Sequence, residues 1–583
     1  MLIHLCFFLS LSGALAQTVE QWRVATLPFT STVNYSNPFS DVSFSATFSN
    51  GTASITRAGF WDGGSAFAVR FSGSAGEWAW RTACSNTADS GLHNRSGTLT
   101  VAPYASGANP LYAHGPLRVR SDGRRFEHAD GAPFRWLGDT AWMSPDLTLL
   151  DSCNAPANAS CASALRYIIA DRVQKGFTVY QTYYFGETGT WWLDPGNFTR
   201  LNASAFGARV DTVVAAANEA GLAVALGMGM HSQSVTMPLP ALRALAAYTS
   251  ARYGAHSIVW ITAQEGELRR RAPLAARAPA PPRLIFSPPL RSHRARAVNA
   301  PNANATAWGV AAQALFDGTR DLGVPLTAHM WVGPNASAPF APPFVYGDRP
   351  FHSWFATQGG HTGMGIRSKE HYASYWNWRS PLSGLPEPFL EAEAMYENIT
   401  CGPRFAWAND TRAAAWKATL CGSLGFTYGA AAIWLFKRDV EDKTGEAYNP
   451  NTWWWPNVAL PGSFQVGAMS SALGPQGALG AGWAQLTPRF SDPAWCDFGA
   501  EDETTVLASV GDEAFVLYSY GAALDVGTVR GLRAAPAAYA ATLLDPRSGA
   551  TRALGSVTSA DGVWRVPPKP DAGDWAWMLV LQQ

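Results

Sequence analysis

Long apolar runs are scarce in this chain. Beyond the first residues, no stretch approaches the roughly 20 apolar residues that a membrane-spanning helix needs. Charge is also scarce: 15% of the 583 residues are charged, and the formal net charge is 0. That balance gives no reason to expect nucleic acid or an anionic membrane as partner. Cysteine is limited to 7 residues, none at zinc-site spacing. No Gly-rich phosphate loop follows the first predicted strand, and no His-x-His or HExxH motif occurs. Nucleotide, metal and membrane functions therefore lack a signal, and the expected chemistry needs no cofactor and no metal.

Aromatic residues are the matching abundance. The chain holds 25 Trp and is 47% hydrophobic, enough for about two to four domains. Flat rings pack on the C–H faces of sugars, although they also fill cores. The opening stretch MLIHLCFFLSLSGALAQ is a short apolar run ending in Ala-Leu-Ala, which reads as a signal peptide over residues 1–16. Ten Asn-x-Ser/Thr sequons occur, at Asn34, Asn50, Asn94, Asn158, Asn197, Asn202, Asn304, Asn335, Asn398 and Asn409. They add the expectation of a secreted, extracellular protein carrying N-linked glycans. Once Cys6 leaves with the signal, the remaining cysteines are even in number, which favours disulfides. Cys153 and Cys161 flank a short loop and form the first expected pair. Cys401–Cys421 is a second, and Cys84–Cys496 follows by elimination.

The hydrophobic pattern divides the chain. Residues 17–105 alternate polar and apolar positions between turn signals, as in VSFSATF and GEWAWRT, and read as an immunoglobulin-like β-sandwich. Residues 500–583, with TVLASV, AFVLYSY and WAWMLVL, read as a second small β-domain. Between them, over 115–485, strands alternate with helices. The strand candidates are Phe134–Leu137, Phe177–Tyr184, Leu222–Met228, Ser257–Ala263, Pro325–Trp331, His352–Thr357, Pro388–Ala392 and Ala430–Leu435. Helical stretches such as ASALRYIIADRVQKG and LPALRALAAYTSARYG end at Gly, as helix C-termini do. The expected fold class is α/β, a (β/α)8 TIM barrel flanked by an N-terminal and a C-terminal β-sandwich. The helix after the fifth strand, between 332 and 387, is poorly defined, and a doubly wound open sheet is the alternative.

Catalytic groups of such a barrel sit at the C-terminal ends of its strands. The polar residues closing the apolar runs are Asp139, Glu187, His231, Gln264 with Glu265, His329, Gln358 with His361, Glu391 with Glu393 and Glu397, and Asp439 with Glu441. Glu265 follows a fully apolar strand, and Glu393 closes the seventh. Strands four and seven face each other across a barrel mouth, the arrangement that two-carboxylate glycoside hydrolysis needs. Glu265 and Glu393 are therefore the expected catalytic pair. Glu391, two residues earlier and expected on the same face, is the rival to Glu393. A lone carboxylate in such a loop is as readily an ion-pair partner or a helix cap. The expected substrate-binding residues are Asp139, Trp142, Gln264, His231, His329, His361, Tyr396 and Trp434. Trp191, Trp192 and Trp331 also lie beside strand ends, as stacking platforms or packing. The histidines lack metal-ligand spacing and are read as sugar hydrogen-bonders.

The segments FEHADGAPFRWLGDTAW, YTSARYGAHSIVWITAQE, EPFLEAEAMYENI and GFTYGAAAIW resemble the apiosidase-like glycoside hydrolases. The stretch NPFSDVSFSATF through GEWAWRT is similar to the N-terminal immunoglobulin-like domain found in that family. The resemblance covers nearly all of the chain after the signal. It implies a (β/α)8 hydrolase with a C-terminal β-domain named for collagen binding. The implied substrate is plant or algal polysaccharide, with Glu265 and Glu393 as the catalytic pair and Asp139 as a site residue. One departure stands out: many related barrels place Asn before the acid/base Glu, where this chain has Gln264. A non-catalytic carbohydrate- or matrix-binding protein on the same scaffold is the alternative from another class.

Directly after Glu265 the composition changes. Residues 266–297 hold eight Arg, six Pro and one carboxylate, with no logic for a packed segment. A disordered arm, a tolerated insertion and a retained intron are the three readings. Codons favour the last. Gly266-Glu267 can encode an intron start, and Ala297-Val298 an intron end. Excision keeps the frame and gives WITAQEVNAPNANATAW, a βα loop of ordinary length.

Overall fold

The computed structural model describes residues 17–146, 153, 155, 161–184, 188–194, 196–229, 237–264, 303–331, 350–359, 366–401, 404–439, 441, 451–499 and 502–582. Eight parallel strands close into a barrel. They are β1 (Trp136–Thr140), β2 (Val179–Tyr183), β3 (Ala223–Gly227), β4 (Ile258–Gln264), β5 (Leu326–Trp331), β6 (Phe355–Gln358), β7 (Phe389–Glu393) and β8 (Gly425–Gly429). Closure runs from β8 back to β1, with Trp136 opposite Gly425 and Thr140 opposite Gly429. The outer layer includes α1 (Ala164–Gln174), α2 (Thr212–Glu219), α3 (Leu239–Tyr253), α4 (Ala303–Thr319), α5 (Lys369–Trp376), α6 (Ala408–Leu420) and α7 (Pro461–Leu473).

The strands are buried on both faces, so their sequences are nearly continuous apolar runs. Outward residues such as Leu137, Val224, Trp260, Leu326 and Phe426 share one core with the helices. Inward residues such as Val179, Ala223, Ala225, Val259, Ala356, Leu390 and Ala392 share another with Trp136 and Trp354. The small alanines leave room for the two indoles, whose rings lie 5.4 Å apart. A three-stranded sheet, Leu117–Val119, Phe126–His128 and Pro133–Phe134, plugs the N-terminal end of the barrel. Its Phe126 packs edge-on against Trp354 at 5.4 Å.

Separate β-sheets lie at both ends of the chain. A five-stranded and a three-stranded sheet between Gln17 and Ala102 enclose one core around Phe48, Phe71 and Trp78. This unit is tied to the barrel flank by Arg70 to Asp211 at 2.5 Å, Arg252 to Asp62 at 2.8 Å and Arg57 to Asp321 at 2.7 Å. A six-stranded and a three-stranded sheet near the C-terminus enclose a second core around Phe515, Leu517 and Trp577. That unit docks on α6 through Trp416 stacked on Tyr518 at 5.1 Å and a two-pronged ion pair of Arg412 with Asp574.

Three expectations need correction. The eighth strand is GFTYG, Gly425–Gly429, and not Ala430–Leu435. The latter run is apolar because it folds as a buried turn behind the strand end, which gives the same composition as a strand without its extended backbone. Phe134 belongs to the plug sheet, and β1 begins at Trp136. Of the disulfides, Cys153–Cys161 forms, but Cys84, Cys421 and Cys496 are buried free thiols. Cys84 and Cys496 lie in the cores of different terminal units. Cys401 precedes α6 and Cys421 follows it, and Cys421 is left as a buried thiol.

Candidate active site

At the C-terminal mouth, β7 departs from regular pairing. Along β6 its register runs Thr357 opposite Glu391, then Gln358 opposite Glu393, so one residue is extra. A β-bulge of this kind re-aims the side chains that follow it. Leu390 and Ala392 face the barrel interior. Glu391 faces the helix layer, where its Oε1 accepts from Gly359 N at 2.8 Å and its Oε2 from the Tyr372 hydroxyl at 3.1 Å. Glu393, after the bulge, turns into the mouth. The two carboxylates thus have different surroundings, and the expected shared facing does not hold.

Glu393 is 2% exposed and sits among polar side chains from three other strand ends. Gln358, ending β6, donates its Nε2 to Glu393 Oε1 at 2.7 Å. Trp142, just past β1, directs its indole N–H at Glu393 Oε2 at 3.3 Å and at the Tyr396 hydroxyl at 2.9 Å. His329 of β5 places Nε2 3.4 Å from the same Oε2 and lies edge-on to the Trp142 ring at 5.2 Å. Trp434 packs beside Tyr396 at 5.9 Å. Donors aimed at both oxygens favour the charged form of a carboxylate.

Gln181 of β2 was missed at the sequence level. It is fully buried and donates its Nε2 across the barrel to Ala392 O at 3.0 Å. That bond grips β7 at the residue before Glu393, so Gln181 supports the bulge. The signal was available: a lone amide interrupts the apolar run VYQTY.

Trp142, His329, Tyr396, Trp434 and Glu393 come together at this mouth, while Asp139 does not. It faces outward and is fully buried, with Oδ2 accepting from Arg172 Nε at 2.8 Å. Burial pushes its carboxyl up to about 6 despite the guanidinium. Its site is inside the helix layer, so the expected sugar contact is not available to it. Burial likewise pushes the Glu391 carboxyl up to about 7 against the pull of Arg367. Glu397 lies at the start of α7, taking hydrogen bonds from the Tyr428 hydroxyl at 2.6 Å and Gly462 N at 2.9 Å. Trp191 and Trp192 are wholly buried packing.

Glu265, His231, His361 and Glu187 lie outside the described residues, as do the side chains of Gln264 and Trp331. The backbone of β4 reaches Gln264, opposite His329, with a register shift between Ile261 and Gln264. Glu265 is the next residue in sequence. Among the described residues, no group of three or more His, Cys, Asp or Glu could hold a metal ion.

The apiosidase-like catalytic domain matches residues 120–476, and a domain of unknown function (DUF5060) matches residues 18–85. Among solved structures, a glycoside hydrolase is 18% identical with a TM-score of 0.59, over 81% of this chain and 98% of that one. A Bacteroides vulgatus protein catalogued provisionally as a glycoside hydrolase is 15% identical with a TM-score of 0.65, over 97% and 100%. A family 5 glycoside hydrolase from the same species is 16% identical with a TM-score of 0.55, over 81% and 94%. At these identities the neighbours share the barrel fold. No curated protein matches the sequence. Barrel and family match together define a (β/α)8 glycoside hydrolase. Within that class the chain belongs to the apiosidase-like family, whose model spans more than half of its length.

Proposed function

We propose that this is a secreted, N-glycosylated hydrolase that cleaves glycosidic bonds in plant or algal polysaccharide with Glu393 and Glu265. The observation that carries the reading is the placement of Glu393. A bulge turns it into the barrel mouth, and Gln358, Trp142, His329 and Tyr396 surround its oxygens. A carboxylate fixed in this way suits attack on the anomeric carbon or activation of a water. Glu265, first residue after β4 on the opposite side, supplies the proton to the leaving oxygen. Trp434, half-buried beside Tyr396, offers a ring face to the sugar, while the fully buried Trp142 acts through its indole N–H on Glu393.

The same reading treats residues 266–297 as retained intron sequence, so that Glu265 enters a short βα loop. Sequencing a transcript across the junction tests this; a mature message with those codons intact overturns it. Hydrolysis of a plant and algal polysaccharide panel tests the function. Sugar release by the chain lacking 266–297 is expected, and it should be lost in both Glu265→Gln and Glu393→Gln. Release that survives Glu393→Gln in that form would overturn the assignment.

A further inference from the structure

A second cavity lies away from Glu393, where the N-terminal unit meets the barrel. Its volume is about 490 Å3, within the range of small-ligand sites. One wall is the loop Ser31–Pro38 of the N-terminal unit, and the other is Leu193 with Arg200 and Leu201. The second wall belongs to the segment that follows the C-terminal end of β2.

Both walls are held rigidly. The fully buried Asp89 carboxylate accepts from Ser31 Oγ at 2.6 Å, Thr32 N at 3.0 Å, Thr32 Oγ1 at 3.1 Å and the Tyr35 hydroxyl at 3.1 Å. Asp194 accepts from Thr199 N at 3.2 Å and Arg200 N at 2.9 Å. Asn37 bridges the walls, donating to Thr199 O at 2.7 Å. Preorganisation on this scale lowers the cost of binding.

The lining chemistry is specific. Trp61 is half-buried and its indole N–H is already engaged by Gly64 O at 2.9 Å, which leaves its ring for stacking. Tyr35 is also half-buried, and Leu193 is 54% exposed. The remaining lining mixes hydroxyl and amide groups with the apolar Val33, Pro38, Phe67 and Leu201, and Arg200 is its one charged side chain. Arg200 is exposed and forms no salt bridge among the described residues, although its charge acts on the nearby Asp194 carboxylate. Aromatic faces, neutral hydrogen-bonding groups and a single fork-shaped cation match a sugar bearing a carboxylate.

We propose that this cavity is a second saccharide site that holds a short acidic segment of a polysaccharide, its uronate carboxylate on Arg200 and a pyranose face on Trp61. The proposal rests on the carbohydrate reading of the mouth but not on the mouth's residues. It would anchor the polymer by the two domains jointly while the chain end is cut.

Affinity electrophoresis of the full chain carrying Glu393→Gln, in gels containing polygalacturonate or neutral arabinoxylan, tests it. Retardation by polygalacturonate and not by arabinoxylan is expected, weakened about tenfold in Arg200→Ala and in Leu193→Ser. These surface variants leave the core intact. Retardation unchanged in both variants, or no retardation in the parent, would overturn the site. Retardation that appears only with Asn34→Gln would assign the cavity to the chain's own glycan and also overturn it. Arg200-dependent retardation with no hydrolysis of any polysaccharide by the unsubstituted chain lacking 266–297 would sink the proposed activity and leave this site standing.

Discussion

Two glutamates on one strand, Glu391 and Glu393, occupy opposite sides of the barrel wall. Glu391 is locked under α5 by Gly359 N and Tyr372. Glu393 stands in the mouth among Gln358, Trp142 and His329. A regular strand would have put both on one face. One extra residue in β7 separates them, with Gln181 holding the carbonyl between them. The lesson is that the placement of a carboxylate in the barrel mouth can depend on a local irregularity rather than on the strand's alternation. The shift near Gln264 in β4 shows the same device on the strand that leads to Glu265.

The comparison can be tested from its largest effect downward. Glu393→Gln keeps the shape and the Gln358 contact but removes the reacting charge, so kcat on a susceptible polysaccharide should fall by about 10³-fold or more with the melting temperature nearly unchanged. Asp139→Ala should do the reverse. It removes one of the two carboxylates on the buried Arg172 guanidinium, which keeps Asp171 and Val458 O, costing about 1.5–3 kcal/mol of stability, and should lower the thermal midpoint while residual folded enzyme keeps its kcat.

Glu391→Gln should reveal itself in pH dependence. Its folded carboxyl is raised to about 7 from 4.5. The folded state therefore holds the proton more tightly than the unfolded chain, and stability from this group is present below about pH 4.5 and is lost as pH rises through 7. The full loss is on the order of 3 kcal/mol. Thermal melts from pH 5 to 8 should show the variant gaining on the parent as pH rises; parallel curves would contradict a buried, proton-binding Glu391. The smallest effect belongs to Gln181→Leu. Losing one buried hydrogen bond, about 1–2 kcal/mol, should slacken the bulge and lower kcat about tenfold with KM nearly constant.

Much of this was legible in the sequence. Doubly buried strands and Gly-terminated helices predict the barrel, because parallel strands covered on both faces must be apolar throughout. Glu393, His329, Trp142 and Tyr396 were singled out as polar or aromatic groups at strand ends, and the structure brings them together. The misses have physical causes. The turn at Ala430–Leu435 is as buried as a strand, so composition cannot separate them. Asp139 sits at a strand end but on the outward face, and its partner Arg172 is 33 residues away in sequence. Gln181 lay within a strand rather than at its end. The bulge itself left no mark in the sequence, because EAEA alternates as an unbroken strand would.

The most direct test is a side-by-side assay of Glu393→Gln and Glu391→Gln, in the chain lacking 266–297, on a polysaccharide the parent cleaves, with a thermal melt of each. The account predicts that Glu393→Gln melts like the parent and releases no sugar, while Glu391→Gln retains turnover within about tenfold and differs in its melt. Turnover that survives Glu393→Gln and vanishes in a folded Glu391→Gln would contradict it.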